Sequence, residues 1–182
     1  LVATDRRTTG IQIEDEGIEL RAASRIRELA TLGQVSVTSY NRMVLLTGEV
    51  PGAPERAAVE AAVAKVENVR AVVNEVVVAP NSAFSSRSAD GVLTTKVKAT
   101  LVDAKDVQAV AFKVVCERRV VYLMGRVTER EANRASDIAR GVSGVQKVVR
   151  VFEVITEAEL ADLQPKQGQT QAQPQPQTPP KQ

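Results

Sequence analysis

The sequence predicts an α+β fold of two tandem domains, each an α-β-β-α-β unit with two helices packed on a three-stranded mixed sheet. Three observations predict it. First, the text from Met43 to Val73 (MVLLTGEVPGAPERAAVEAAVAKVENVRAVV) returns in related form from Val120 to Val149 (VVYLMGRVTEREANRASDIARGVSGVQKVV), so the chain is built twice from one unit. Second, equivalent residues lie at slowly drifting offsets. Ile18, Arg21, Ala22 and Ile26 fall on Leu93, Lys96, Val97 and Leu101, Gly48 and Val50 on Gly125 and Val127, and Val66 and Val69 on Val142 and Val145. Third, the apolar spacing alternates between a helical period and short apolar runs bounded by turns. Two copies are too few for a solenoid, which leaves two domains.

In chain order, residues 1–14 are polar and read as an arm, with one short extended piece at Ile11 to Ile13. The first domain spans 15–78. Asp15 is placed as an N-cap for a helix whose buried face is Ile18, Ala22, Ile26 and Leu29. Gln34 to Ser39 and Met43 to Val50 form a hairpin through Tyr40-Asn41-Arg42. Gly48 marks a bulge or a close backbone approach. A helix follows from about Pro54, and Val69 to Val78 is the last strand. Residues 79–89 (APNSAFSSRSA) are the linker.

The second domain, 90–156, repeats this order. Asp90 is placed as a cap, Leu93, Val97 and Leu101 as the buried stripe, Val107 to Cys116 and Val120 to Val127 as the hairpin. Glu117-Arg118-Arg119 makes its turn. Thr128 and Glu131 have the spacing of a capping box, and Val145 to Ile155 closes the unit. The alternating charges Glu129, Arg130, Glu131, Arg134 and Asp137 read as pairs within one helix. Residues 157–182 form a C-terminal extension, Gln- and Pro-rich from about 164 and expected to be disordered.

Composition removes several function classes. With no histidine there is no Ser-His or Cys-His catalysis and no ordinary zinc site. The single cysteine, Cys116, lies in a valine-rich strand and reads as a small core residue. Three Phe, two Tyr and no Trp leave little surface for stacking on bases, so nucleic acid is not expected as a partner. No glycine-rich phosphate loop, calcium-loop spacing or nucleophile-base pair occurs, and the chain is read as non-enzymatic with no cofactor. No run reaches membrane-spanning length. Beginning at Leu1, the sequence reads as a product whose targeting segment has been removed.

These repeats resemble BON domains. The resemblance rests on the helix pattern I/L-x-x-R/K-A/V-x-x-x-I/L, the strand-end Gly-x-Val, and the Val-x-x-Val pair opening the last strand. It covers Asp15 to Ile155. With the leader Ala3 to Thr8 and the stretch Thr128 to Val149, the chain is similar to dual-BON outer-membrane lipoproteins. That resemblance implies a periplasm-facing protein, lipid-anchored to the outer membrane through a cysteine upstream of Leu1. It also implies binding of anionic phospholipid (phosphatidylglycerol, cardiolipin) by the first helix of the second domain, and support of envelope integrity and cell division.

The charge distribution agrees with that choice of domain. Residues 15–78 carry seven basic and nine acidic groups, net −2, whereas 90–155 carry twelve and eight, net +4. The candidate lipid-binding residues are Val92, Thr94, Thr95, Lys96 and Lys98, with Arg87 on the approach. Val92 occupies the place where related proteins can present a large aromatic, which reduces the expected insertion energy. Arg118 and Arg119 are weaker candidates. The competing reading of the same charges is a solvated helix face, and the competing function is a periplasmic interaction module that docks on outer-membrane assembly proteins.

Overall fold

The computed structural model describes residues 5–29 and 32–163. The Gln- and Pro-rich stretch from 164 lies outside the described residues. The first repeat consists of α1 (Thr9–Glu28), β1 (Gln34–Tyr40), β2 (Met43–Val50), α2 (Ala53–Ala64), β3 (Ala71–Asn74) and β4 (Val77–Val78). The second consists of α3 (Phe84–Asp103), a 3-10 turn (Ala109–Ala111), β5 (Lys113–Glu117), β6 (Val120–Val127), α4 (Glu129–Arg140) and β7 (Lys147–Val154). A last helix, α5 (Glu157–Leu163), follows. In each sheet the hairpin pair is antiparallel and the closing strand runs parallel to the central one.

The central strands β2 and β6 are apolar without interruption because both of their faces are buried. Val44, Leu46 and Val50 point to the helices of the first repeat, and Val121, Leu123 and Val127 to those of the second. The alternate residues meet each other. Tyr40 and Leu45 from one sheet and Tyr122, Met124 and Val151 from the other form a third core between the two sheets. Each such side chain removed from water contributes about 1.5–3 kcal/mol. The repeats therefore pack sheet against sheet, with their helices on the two outer surfaces.

Asp15 and Asp90 do not cap helices. Both lie inside them, and both clamp a hairpin. Asn41 and Arg42 have φ of 50° and 66°, and Arg118 and Arg119 have φ of 52° and 64°. These are two-residue turns with both central residues left-handed, a conformation that favours Asn-Gly and penalises arginine. The Asp15 carboxylate accepts the backbone N–H groups of Asn41 and Arg42, each at 2.8 Å. Asp90 does the same for Arg118 and Arg119 at 2.8 and 3.0 Å. Arg42 and Arg119 then donate Nε to the carbonyls of Asn68 and Gly144. Arg119 is thus committed to structure rather than to an outer basic surface.

With both aspartates used in this way, each first helix starts earlier than expected. α1 begins at Thr9, where the Thr8 hydroxyl caps Ile11 N, so Ile11 to Ile13 are helical and not extended. α3 begins at Phe84, inside the expected linker. The last strand of the first repeat is split, because Asn74 Oδ1 accepts from Val76 N and Arg56 holds the carbonyls of Asn74 and Val76. The expected strand from Val107 is strand only from Lys113. Before it, the chain makes the 3-10 turn and turns Val107, Ala111 and Phe112 into the core. Gly48 (φ 113°) and Gly125 (φ 159°) admit this close packing, since a Cβ on either would overlap the carbonyl oxygen of Gln34 or Ala111.

The capping box of Thr128 and Glu131 is present. The other charges on α4 mostly reach outward: Arg134 pairs with Asp106 and Arg130 with Glu157, and only Arg140–Asp137 lies within the helix. Glu131 is bound by a residue 125 positions earlier. Arg6 forms a two-point ion pair with it at 2.9 and 2.6 Å and donates to the Arg126 carbonyl, with both side chains 5% exposed. Arg7 turns the other way, lying 4.4 Å over the Tyr40 ring and pairing with Asp15. The segment before α1 therefore clasps the two repeats together.

Burial alone would raise the Glu131 carboxyl, but Arg6 and the Thr128 backbone hold it below its ordinary value of 4.5. Its contribution is therefore complete above that value and is lost as pH falls through the lowered one. Arg6→Ala is expected to cost about 3 kcal/mol in chemical denaturation at neutral pH, because it leaves a buried carboxylate without its partner. The deficit against the parent should shrink in acid, where the Glu131 carboxyl is protonated. Asp90→Ala, which strips two turn N–H groups of their acceptor, is expected to cost about 2 kcal/mol.

Candidate functional site

Helix α3 lies on the outer surface of the second repeat. Leu93, Val97 and Leu101 bury one face, as their spacing requires. At 3.6 residues per turn, Val92, Thr95, Ala99 and Val102 fall on one outward stripe. All four are exposed, Val92 at 58% and Val102 at 69%. Lys96 flanks this stripe on one side and Lys98 on the other. Among the described residues neither lysine enters a salt bridge, although most arginines of the second repeat do. The helix thus presents a weakly apolar strip between two cations.

The structure brings Val92, Thr95, Lys96 and Lys98 onto this surface and sets the other two candidates apart. Arg87 donates to Gln34 Oε1 of the first repeat at 2.7 Å. Thr94 is half-buried and spends its hydroxyl on the Asp90 carbonyl. Both residues line a polar cleft of about 350 Å³ between the repeats, with Glu49, Asp90, Cys116 and Glu117. Ala99 and Val102 were not singled out from sequence. Their signal was the same helical periodicity, read on the side away from Leu93, Val97 and Leu101.

α1 occupies the equivalent place in the first repeat but differs in chemistry. Its outward face carries Ile13 and Leu20 together with Glu16 and Arg27. Arg21, which corresponds to Lys96, is paired with Glu14, and Ala23 stands at the place of Lys98. Among the described residues no helix is long and apolar enough to cross a membrane.

The basic excess of the second repeat also serves the domain contact. Lys113 pairs with Glu19 at 2.9 Å and Arg118 with Glu49 at 3.3 Å, joining second-repeat cations to first-repeat acids. Arg70 reaches Glu153 in the opposite sense. In the cleft, burial raises the Glu117 carboxyl, and the nearby charges of Glu49 and Asp90 raise it further. Burial likewise raises the Cys116 thiol, in keeping with a core residue.

A family model described as BON domain matches residues 15–80 and 89–156. Outer membrane lipoprotein DolP of Haemophilus influenzae is 41% identical over 157 residues, which is 85% of this chain and 81% of that protein. A 21 kDa hemolysin of Actinobacillus pleuropneumoniae is 31% identical over 154 residues, covering 83% and 79%. Among solved structures, CdsD, a structural protein of the type III secretion system of Chlamydia trachomatis, aligns over 79% of this chain and 95% of its own. That alignment has a TM-score of 0.33 and 11% identity, too distant to bear on function.

The raised carboxyl of Glu117 sets a pH dependence. Ionisation in the folded state is unfavourable, so stability falls as pH rises from the ordinary carboxylate value of 4.5 through the raised one. Glu117→Gln is expected to raise the thermal midpoint at neutral pH, and the difference from the parent should vanish in acid, where the carboxyl is neutral in both states.

Proposed function

The chain belongs to the BON domain family as a two-domain member of the DolP type, and on that premise we propose that it is a non-enzymatic outer-membrane lipoprotein whose second domain binds anionic phospholipid at the periplasmic face. In this role it supports outer-membrane integrity and cell division. The observation that carries the reading is the outward stripe of α3, where Val92, Ala99 and Val102 are exposed between Lys96 and Lys98. A surface of this kind meets a bilayer with apolar groups at the boundary and ammonium groups at the phosphates. Each lysine near an anionic surface contributes about 1 kcal/mol. The paired arginines of the second repeat add less, because their charges are already answered.

The sheet-to-sheet packing supports the same reading, since it leaves α3 on an outer surface while α1 faces away on the other repeat. Among the described residues, α3 carries two lysines outside any salt bridge, whereas α1 has no lysine and pairs Arg21 and Arg25, two of its three arginines. Arg87 acts indirectly in this scheme, by holding the start of α3 against Gln34 of the first repeat, while Thr94 bonds within α3 to the Asp90 carbonyl.

The test is flotation of the full chain with vesicles of phosphatidylglycerol in phosphatidylcholine. Lys96→Ala with Lys98→Ala is expected to weaken binding by about 2 kcal/mol, roughly 30-fold, with a shallower salt dependence than the parent. Retention that ignores both the substitutions and the phosphatidylglycerol content would instead favour a module that docks on outer-membrane assembly proteins.

A further inference from the structure

We infer that a groove beside the C-terminal half of α3 receives one acyl chain of the anionic lipid whose headgroup meets Lys98. The inference rests on the lipid reading above and deepens it. The groove measures about 300 Å³ and is walled by Leu101 and Val102 of α3, Ala109 and Val110 of the 3-10 turn, and Phe112 and Val114 beyond it, with Lys98 at its edge.

Its chemistry points to hydrocarbon. Every lining side chain except that of Lys98 is apolar. The backbone N–H groups of Ala111 and Phe112 are satisfied within the turn, by the carbonyls of Gln108 and Ala109 at 2.9 and 3.1 Å. An alkyl chain laid against such a lining needs no hydrogen-bond partner. Val102 belongs both to the groove wall and to the outward stripe of α3, so a chain in the groove continues the apolar surface that faces the bilayer. The single cation stands at the edge, where an anionic headgroup would remain in water. The two repeats differ at this point: β1 is a seven-residue strand, whereas β5 has five residues and is preceded by the 3-10 turn that forms one wall. Phe112 is held from behind by an edge-on contact with Phe152, ring centroids 5.8 Å apart, which keeps the floor of the groove in place.

The experiment uses the isotope-labelled full chain with bicelles of phosphatidylcholine and phosphatidylglycerol carrying a nitroxide on either the headgroup or the middle of the acyl chain. The expected result is stronger broadening of Val102, Val110 and Phe112 signals by the chain label than by the headgroup label, with Lys98 showing the reverse order. Val110→Glu, a change at a 40% exposed position, should abolish the chain-label effect and leave a several-fold weaker, lysine-dependent flotation. If Val110 and Phe112 respond no more to the chain label than to the headgroup label while Lys96 and Lys98 still govern flotation, the groove is not an acyl site and the lipid reading survives. If the parent protein ignores phosphatidylglycerol altogether, both fall. Shifts at Val110 and Phe112 that follow protein concentration without lipid would assign the groove to a second copy and also overturn the inference.

Discussion

The rest of the structure depends on the burial of the second face of each sheet. A unit with two helices can cover only one side of its sheet, and the strands here are apolar on both. Leu45 and Met124 are fully buried between the sheets, and Tyr40, Tyr122 and Val151 nearly so. Exposing that surface would leave a contiguous apolar patch larger than soluble domains ordinarily tolerate. Pairing the two sheets removes it from water, and this one contact decides which helices face outward and where the charged rim lies.

Around the apolar contact, polar groups close the margin. Lys113, Arg118 and Arg70 reach carboxylates across the boundary, and the buried Arg6–Glu131 pair ties the segment before α1 to the far repeat. The exposed pairs contribute little individually. The clasp is different in kind, because a buried ion pair fixes one arrangement even where its net energy is small. The proposed lipid surface therefore sits on a rigid support, with the start of α3 held by Asp90 at the hairpin and by Arg87 at the first repeat.

Duplication supplied two copies of one scaffold, and the copies have diverged at their outer helices. The aspartate clamp, the left-handed hairpin pair and the strand-end glycine are kept in both. The differences fall at Gly91 against Glu16, Lys98 against Ala23 and Val102 against Arg27, which make α3 weakly apolar and cationic where α1 is mixed in charge. Scaffold positions answer to the geometry of the turn and the sheet, whereas outward positions answer only to what lies outside.

Sequence alone determined the repeated α-β-β-α-β order, the capping box at Thr128, the glycine positions and the buried stripes of the helices, apart from Leu29, which was expected inside but lies 40% exposed past the end of α1. These are local matters, set by periodicity, by cap chemistry and by the φ values that only some residues adopt easily. Tertiary structure decided the rest. It turned Asp15 and Asp90 from expected caps into clamps, since only the folded hairpin brings the N–H groups of Asn41, Arg42, Arg118 and Arg119 within reach. It sent Arg87 and Thr94 to the cleft and left Lys96 and Lys98 outside, because a helical period gives spacing around an axis but not what stands on each side. It also set the sheets face to face, because whether a second apolar face meets water or another sheet depends on contacts between residues far apart in the chain.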